Sequence, residues 1–267
     1  MRNTANADSL TLGDGEARRE IAMLRREGAA PGLFWLGGFN SDMQGTKALA
    51  LDAFAAERGC AMTRFDYSGH GDSSGSFEDG TISRWLEESL AVFERTEGPQ
   101  ILIGSSMGGW LALLLSEAHR ASSGPTRSRI AGLVLIAPAI DMTRKLMWTE
   151  MDEAAQVQLM NTGIWRKPSD YSDEPYLITK ALIEDGDLHL FGERLIETNC
   201  PVHIIQGIDD TDVPWRHATD LVSHFASDDV VLTLIKDGDH RLSRPEDIAR
   251  VIAAVEDMIA EASGQRQ

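Results

Sequence analysis

Residues 104–110 read GSSMGGW and directly follow an apolar run at 101–103. The spacing Gly-x-Ser-x-Gly centres on Ser106, with Gly104 and Gly108 two residues away on either side, whereas Ser105 has no such pair. A serine on a sharp strand-to-helix turn needs neighbours without side chains, because the turn is strained and packs against adjacent backbone. The helix that follows would direct free amides toward charge developing on a bound carbonyl. Ser106 is therefore a candidate nucleophile, although a bare GxSxG also occurs in turns that carry no chemistry.

A serine hydroxyl is a poor nucleophile at neutral pH, so a histidine must accept its proton and a carboxylate must orient that histidine. His240 stands in KDGDHRLSRPE, a loop after the last predicted strand and before the last predicted helix. This position at the sheet edge favours His240 as the general base. We expect the histidines on earlier loops, helices and strands to be solvated or packed: His70, His119, His203, His217 and His224.

The acid has three neighbouring candidates in the stretch QGIDDTDVPW, namely Asp209, Asp210 and Asp212. All three follow the predicted strand at 202–205. Asp212 directly precedes Val213-Pro214, which suits a helix start, so this carboxylate could simply stabilise the helix dipole. Composition alone leaves the choice open.

Six short apolar runs that could carry these residues alternate with longer segments of helical periodicity. The runs lie at 34–36, 60–65, 101–103, 130–137, 202–205 and 230–235. Nearly continuous apolar strands are typical of a parallel sheet covered by helices on both faces. SDMQ at 41–44 and SRPE at 243–246 have the capping-box form, so we expect one helix from there to about Arg58 and another with Pro245 in its first turn. The sequence thus predicts an α/β fold with a mostly parallel central sheet.

Two segments depart from this alternation. Residues 10–12 and 20–25, joined by LGDG, predict a hairpin that adds an antiparallel edge. Residues 141–197 hold four methionines and two tryptophans but no convincing strand, which predicts a helical insertion. An insertion between two strands would lie over their carboxyl ends, where open α/β sheets bind ligands. We therefore divide the chain into a discontinuous core, 1–140 and 198–267, and a small helical cap at 141–197.

Composition excludes several classes of function. The chain has 267 residues, with 25 Lys plus Arg against 42 Asp plus Glu, and its net charge of −17 disfavours nucleic acid and anionic surfaces as partners. Cys60 and Cys200 form no CxxC pair, so we expect buried thiols and no metal or disulfide site. No apolar leader or membrane-spanning run is present, which predicts a cytoplasmic protein without stable membrane insertion.

Two nucleotide-binding patterns fail on spacing. The stretch GHGDSSG at 69–75 has one residue too many for the dinucleotide fingerprint GxGxxG. Lys47, which follows Gly45-Thr46, is in the wrong place for a phosphate-binding P-loop.

The chain order of Ser106, an acid and then His240 resembles that of the α/β-hydrolase superfamily over nearly the whole length. The family's acid loop has the form G-x-x-D-x-x-V-P, and GIDDTDVP at 207–214 puts its aspartate at Asp210. RFDYSGHGDSSG at 64–75 is similar to the family's D-x-x-G-x-G-x-S segment. The resemblance implies an α/β-hydrolase fold, a triad of Ser106, His240 and Asp210, and no cofactor or metal.

The resemblance also implies an oxyanion hole. In the family, its donors are the amide after the nucleophile and one from the loop after an earlier strand, which by position are those of Met107 and Phe39. Many relatives carry His-Gly where this chain has Gly37-Gly38. That departure keeps the backbone donor but removes a side chain that often organises the loop.

The runs GFNSDMQGTKA, RFDYSGHGDSSG and GSSMGGW are most similar to one branch of the superfamily. That branch contains a mitochondrial acyl-protein thioesterase, also active on acyl glucuronides, and its bacterial relatives. The resemblance implies a serine hydrolase that acts, through an acyl-enzyme, on a small-molecule carboxylic ester or acyl thioester or on an acylated protein.

Several alternatives stay open. The same residues could serve a lactonase or perhydrolase, and the scaffold could be a non-catalytic ligand-binding protein, although a binding module has no need for all three triad positions. The insertion could be a lid over an apolar acyl group or could pack as ordinary helices.

Overall fold

The computed structural model describes residues 5–123, 129–167, 175–226 and 229–264. The strands are β1 Asn6–Leu12, β2 Arg19–Arg26, β3 Ala29–Leu36, β4 Cys60–Phe65, β5 Gln100–Ser105, β6 Ile130–Ile136, β7 Ile164–Lys167, β8 Tyr176–Thr179, β9 Val202–Gly207 and β10 Val230–Ile235. The helices are α1 Thr46–Arg58, α2 Ile82–Phe93, α3 Met107–Ser123, α4 Glu153–Thr162, α5 Lys180–Gly186, α6 Trp215–His224 and α7 Pro245–Ala262. All six strands predicted from apolar runs are present.

Eight of these strands form the central sheet, in the order β1-β2-β4-β3-β5-β6-β9-β10. From β4 through to β10 every neighbouring pair is parallel, while β1 pairs antiparallel with β2, and β2 with β4. The predicted amino-terminal hairpin is therefore the antiparallel edge. The predicted α/β fold with a mostly parallel central sheet is confirmed.

The sheet separates two apolar cores because successive side chains of a strand point to opposite faces. Phe34 and Leu102 point to the face that packs against α2, α3 and α6. Leu33 and Ile103 point to the opposite face, which packs against α1 and α7. Helices thus cover both faces, which explains why the central strands are apolar along their whole length.

The strand register brings the carboxyl ends of the parallel strands to one edge. Leu36 at the end of β3 is paired with Gly104 of β5, and Ser105 is paired with Ile136 at the end of β6. Ile136 is paired in turn with Ile205 of β9, and Gly207 with Ile235 of β10. Loops that follow β3, β5, β9 and β10 therefore meet at a single edge.

The two predicted capping boxes do not form. The first helix begins at Thr46 with Gly45 as its N-cap, because Asp42 forms a local turn by accepting the Gln44 amide at 2.7 Å while the Met43 amide donates to Asp66. In the second, Ser243 donates its hydroxyl to a carbonyl rather than capping the helix.

Pro245 is the first residue of α7, as predicted. The prediction fails at the caps because tertiary and turn contacts claim the groups that a capping box would use.

We expected the insertion at 141–197 to be helical, but only part of it is. A π-helical segment, Thr143–Trp148, is followed by α4, and β7 and β8 then form a two-stranded antiparallel sheet. Met151, Leu159 and Ile178 belong to a small apolar core of this segment. Within the described residues each of these strands has four residues and pairs with the other, which is too short a pattern for the sequence to reveal.

Asp141 connects the two ends of the insertion by hydrogen bonds. Its carboxylate accepts the amides of Phe191 at 2.7 Å and Gly192 at 2.9 Å. Phe191 and Ile196 belong to the main apolar core, so the chain has rejoined the core before residue 197.

Two further expectations can be compared with the structure. Neither cysteine forms a disulfide; Cys60 is buried and Cys200 is partly buried. Within the described ranges, none of the helices has the length and apolar character required to cross a membrane.

Candidate active site

Ser106 occupies a strained turn between β5 and α3. Its φ of 55° lies in the left-handed region, which residues other than glycine rarely adopt. A Cβ at Gly104 would lie 2.3 Å from the Gly108 carbonyl oxygen, and one at Gly108 would lie 2.0 Å from that of Leu36. Both glycines of the motif are therefore required by the close contact between the turn, α3 and the end of β3.

His240 bridges the predicted nucleophile and the predicted acid. Its Nε2 lies 3.1 Å from Ser106 Oγ, and its Nδ1 lies 2.9 Å from Asp210 Oδ2. A carboxylate only accepts, so Nδ1 carries the proton and Nε2 is left to accept from the serine hydroxyl. The structure thus brings together three residues from loops after β5, β9 and β10.

Asp210 is oriented by a second set of hydrogen bonds. Its Oδ1 accepts the amides of Asp212 at 3.0 Å and Val213 at 2.8 Å, and its Oδ2 accepts Gln206 Nε2 at 2.9 Å. Asp209 is exposed and holds the loop through its backbone amide. Of the three candidates left open by the sequence, Asp210 has a carboxylate oxygen at hydrogen-bond distance from His240 Nδ1.

Gln206 was missed by the sequence analysis. Its side chain is fully buried, and its Nε2 also donates to the Gly207 and Val213 carbonyls. The available signal was a polar amide at the end of the otherwise apolar strand VHIIQG, just before the acid loop. A buried amide there requires polar partners, which a ligand or a catalytic loop can supply.

The two predicted oxyanion donors flank Ser106. Met107 is the first residue of α3, and Phe39 lies in the loop after β3. A Cβ on the adjacent Gly38 would lie 3.4 Å from Ser106 Cβ, so this loop passes directly beside the serine. Among the described residues, neither the Phe39 nor the Met107 amide donates to a backbone carbonyl outside the helices and strands, and such unpaired amides are the donors that an oxyanion hole uses.

A pocket of about 430 Å³ opens at Ser106 and His240. The insertion contributes five mainly apolar residues and the Glu150–Lys167 ion pair to the lining; the five are Met142, Leu146, Met147, Tyr176 and Ile178. The core contributes polar side chains that include Lys47, whose Nζ donates to the Arg241 carbonyl. Burial lowers the pKa of Lys47 to about 8. The lining of the pocket thus presents both apolar and polar side chains to a substrate.

Asp210, Asp212 and His240 also place possible ligand atoms within 4.8 Å of one another, the one such group of acidic, His or Cys residues in the described ranges. Asp210 Oδ2 and His240 Nδ1 are already hydrogen-bonded to each other. A metal ion would have to break that contact, so the arrangement suits proton transfer better than metal binding.

The sequence profile of the alpha/beta hydrolase family matches residues 29–251. The chain belongs to this family. Over 241 residues, this α/β hydrolase is 34% identical to the Homo sapiens protein named palmitoyl-protein thioesterase ABHD10, mitochondrial. The matched region covers 90% of this chain and 76% of that protein.

Two solved structures of similar proteins support the same family over nearly the whole length of this α/β hydrolase. A putative hydrolase from Agrobacterium vitis S4 is 48% identical with a TM-score of 0.91, covering 96% of this chain and 99% of that chain. Alpha/beta hydrolase domain-containing protein 10 from mouse is 32% identical with a TM-score of 0.84 and the same coverage. The predicted resemblance to the branch of the mitochondrial thioesterase is confirmed.

Proposed function

We propose that this α/β hydrolase cleaves a carboxylic ester or an acyl thioester through an acyl-enzyme on Ser106. The observation that carries the proposal is the position of His240, within hydrogen-bond distance of both Ser106 Oγ and Asp210 Oδ2. A nucleophile, a base and an orienting acid in this order are what acyl transfer requires.

The proposed reaction has two halves. Ser106 Oγ attacks the acyl carbonyl while His240 Nε2 accepts its proton, and His240 then protonates the leaving oxygen or sulfur. A water molecule, deprotonated by His240, next attacks the acyl-enzyme and releases the acid. Asp210 stabilises the imidazolium in both halves. The amides of Met107 and Phe39 hold the oxyanion, each being worth on the order of 3 kcal/mol in the transition state.

The names of the relatives support an acyl thioester as the substrate. The human relative is named a palmitoyl-protein thioesterase, and the chain shares 34% of its residues over the matched region. The apolar side chains of Met142, Leu146 and Ile178 can receive an acyl chain, while the polar side chains of the pocket can contact the leaving group. A small-molecule thioester or ester and an acylated protein both present this chemistry.

The segment 141–197 acts in this proposal as a cap over the acyl group, with 1–140 and 198–267 as the hydrolase core. Its support is the hydrogen bonding at Asp141 and the small apolar core of its own. The Glu150 and Lys167 side chains, paired at 2.6 Å, connect the turn after the π-helical segment to β7, and both line the pocket. The cytoplasmic location expected from the sequence stays a prediction, and the curated relatives are named as mitochondrial.

The first prediction concerns Ser106→Ala and His240→Ala. Each variant should lose at least a thousandfold in kcat for nitrophenyl butyrate and for an acyl thioester, because each removes a group that acts in both half-reactions. A fluorophosphonate probe should label the wild-type protein at Ser106 and leave Ser106→Ala unlabelled.

His224→Ala is the matched control, since this histidine is partly exposed at the end of α6, does not line the pocket at Ser106, and has its Nδ1 3.4 Å from a carbonyl oxygen. It should retain wild-type kcat. Full turnover by folded Ser106→Ala, or a wild-type protein that neither hydrolyses these substrates nor reacts with the probe, would favour the non-catalytic binding protein instead.

A further inference from the structure

The loop at 37–43, between β3 and α1, carries one oxyanion donor but has little support of its own. It begins with Gly37-Gly38, which have no side chains to anchor it, and Asn40 is held at a φ of 54°. Gly38 lies against Ser106, so a shift of the loop moves the Phe39 amide relative to the nucleophile. Something else must fix this loop, because a donor misplaced by about 1 Å loses much of its effect.

Three groups from the segment 66–70, after β4, contact this loop. Tyr67 donates its hydroxyl to the Gly37 carbonyl at 3.3 Å, and Asp66 accepts the Met43 amide at 2.6 Å. Between them, His70 Nε2 accepts the Asn40 amide at 3.2 Å. The contact from His70 is the one made next to Phe39.

The His70 ring is fixed in a single tautomer and a single orientation. Its Nδ1 lies 3.2 Å from the Ser68 carbonyl oxygen, which can only accept, while Nε2 faces an amide that can only donate. The ring is 5% exposed and packs among aromatic side chains, with ring centroids at 5.6 Å for Tyr67, 5.0 Å for Phe77 and 5.3 Å for Trp85.

We propose that His70 is a positioning residue for the oxyanion hole, holding the Phe39 amide beside Ser106 through the hydrogen bond from the Asn40 amide. This inference rests on the proposed function, because an oxyanion forms only if Ser106 attacks a carbonyl. It assigns to His70 the support that a side chain at position 37 would otherwise supply.

Two further contacts agree with this assignment. The Phe39 ring packs in the same aromatic group, 4.9 Å from the Phe77 ring and 6.1 Å from the Trp85 ring. The Phe39 side chain and the amide of the next residue, Asn40, are therefore both held. Burial lowers the pKa of His70 to about 4, which keeps the ring neutral at pH 7 and leaves Nε2 free to accept.

The test compares His70→Phe with His119→Phe. The His70→Phe ring can occupy the aromatic surroundings but cannot accept from Asn40, so kcat for nitrophenyl butyrate should fall about 10- to 100-fold, with KM changed less than threefold. A trifluoromethyl ketone, which forms an oxyanion-like adduct with the serine, should lose affinity by a similar factor.

His119 is a matched control at the opposite edge of the sheet. It is 4% exposed, packs 5.0 Å from the Phe93 ring, and accepts a backbone amide, that of Arg129, at 3.3 Å. Its variant loses the same kind of bond and should lower the melting temperature about as much as His70→Phe, while kcat stays at the wild-type level.

A conservative pair keeps the test decisive if His70→Phe does not fold. The amide of His70→Gln can reach Asn40 and should restore much of kcat, whereas His70→Asn can bond Ser68 but is too short to reach Asn40. Equal kcat in these two variants, kcat in His70→Phe equal to that of His119→Phe, or a rise in KM with kcat unchanged would overturn the inference. Activity retained by Ser106→Ala would instead overturn the proposed function, so the two failures are distinguishable.

Discussion

Asp210 and Asp212 are two residues apart, yet their carboxylates have different surroundings. Asp210 has a fully buried side chain, two backbone amides on one oxygen, and both Gln206 and His240 on the other. Asp212 is partly exposed at the pocket and contributes its backbone amide to the support of Asp210. The hydrogen bonds, and not the residue type, distinguish the two.

Asp210→Asn and Asp212→Asn test this difference. Asn at 210 can offer its amide to His240 Nδ1 and so favours the wrong tautomer, which should lower kcat by a factor on the order of 10³ to 10⁴. Asn at 212 keeps the backbone amide that supports Asp210, so kcat should stay within about threefold of wild type. Steady-state kinetics with nitrophenyl butyrate measure both, and a larger loss in Asp212→Asn would transfer the acid role to Asp212.

At the scale of elements, α3 and β3 meet at Gly108, where helix propensity and sterics oppose each other. Alanine in place of a helical glycine normally stabilises by about 1 kcal/mol. Here its Cβ would fall 2.0 Å from the Leu36 carbonyl oxygen, well inside van der Waals contact. Sterics therefore prevail, and the glycine that weakens the helix is what allows it to begin beside the nucleophile.

The insertion is the element expected to select the acyl chain. If its apolar side chains receive the chain, kcat/KM for nitrophenyl esters should rise about fourfold per methylene from acetyl upward until the pocket is full, which follows from about 0.8 kcal/mol per buried CH₂. Leu146→Trp should narrow the pocket and shift the preference toward acetyl and butyryl esters.

Met160→Trp is the control for that substitution. Met160 is 46% exposed on α4 and does not line the pocket, so its variant should keep the wild-type chain-length profile. Equal turnover of acetyl and longer esters by the wild-type protein would contradict a cap over the acyl group and would indicate ordinary packing of the insertion.

At the scale of the whole molecule, buried histidines link stability to pH. Burial lowers the pKa of His70 to about 4 and also lowers the pKa of His203 and His217, so the folded state holds these rings neutral. Between the ordinary value near 6.5 and these lowered values, the unfolded chain binds more protons than the folded one. Stability is then fully present above about pH 6.5 and is lost as the pH falls toward 4.

Urea unfolding at pH 7, 6 and 5 checks this prediction. The free energy of unfolding should fall with each step, although a lower pH also weakens repulsion within a chain of net charge −17. His70→Phe separates the two effects, because it removes one titrating ring and should show a smaller fall between pH 7 and pH 5. An identical fall in both proteins would exclude His70 as a source of the pH dependence.

The sequence by itself determined the features that depend on local pattern. Glycine spacing selected Ser106 over Ser105, because the steric demands of the turn are met within five residues. Apolar runs predicted the six strands, since a strand buried on both faces must be apolar whatever its neighbours. The same pattern placed Ser106, the three candidate aspartates at 209, 210 and 212, and His240 after three strands, whereas the choice of Asp210 came from the family resemblance.

Only the tertiary structure decided what depends on partners distant in the chain. The contact between His240 and Asp210 joins residues 30 apart, and that between His240 and Ser106 joins residues 134 apart. The support that His70 gives to Asn40, the start of α1 at Thr46 and the pairing of β7 with β8 arise in the same way. Each depends on hydrogen bonds between separate segments of the chain, and one segment alone does not reveal where its polar groups find their partners.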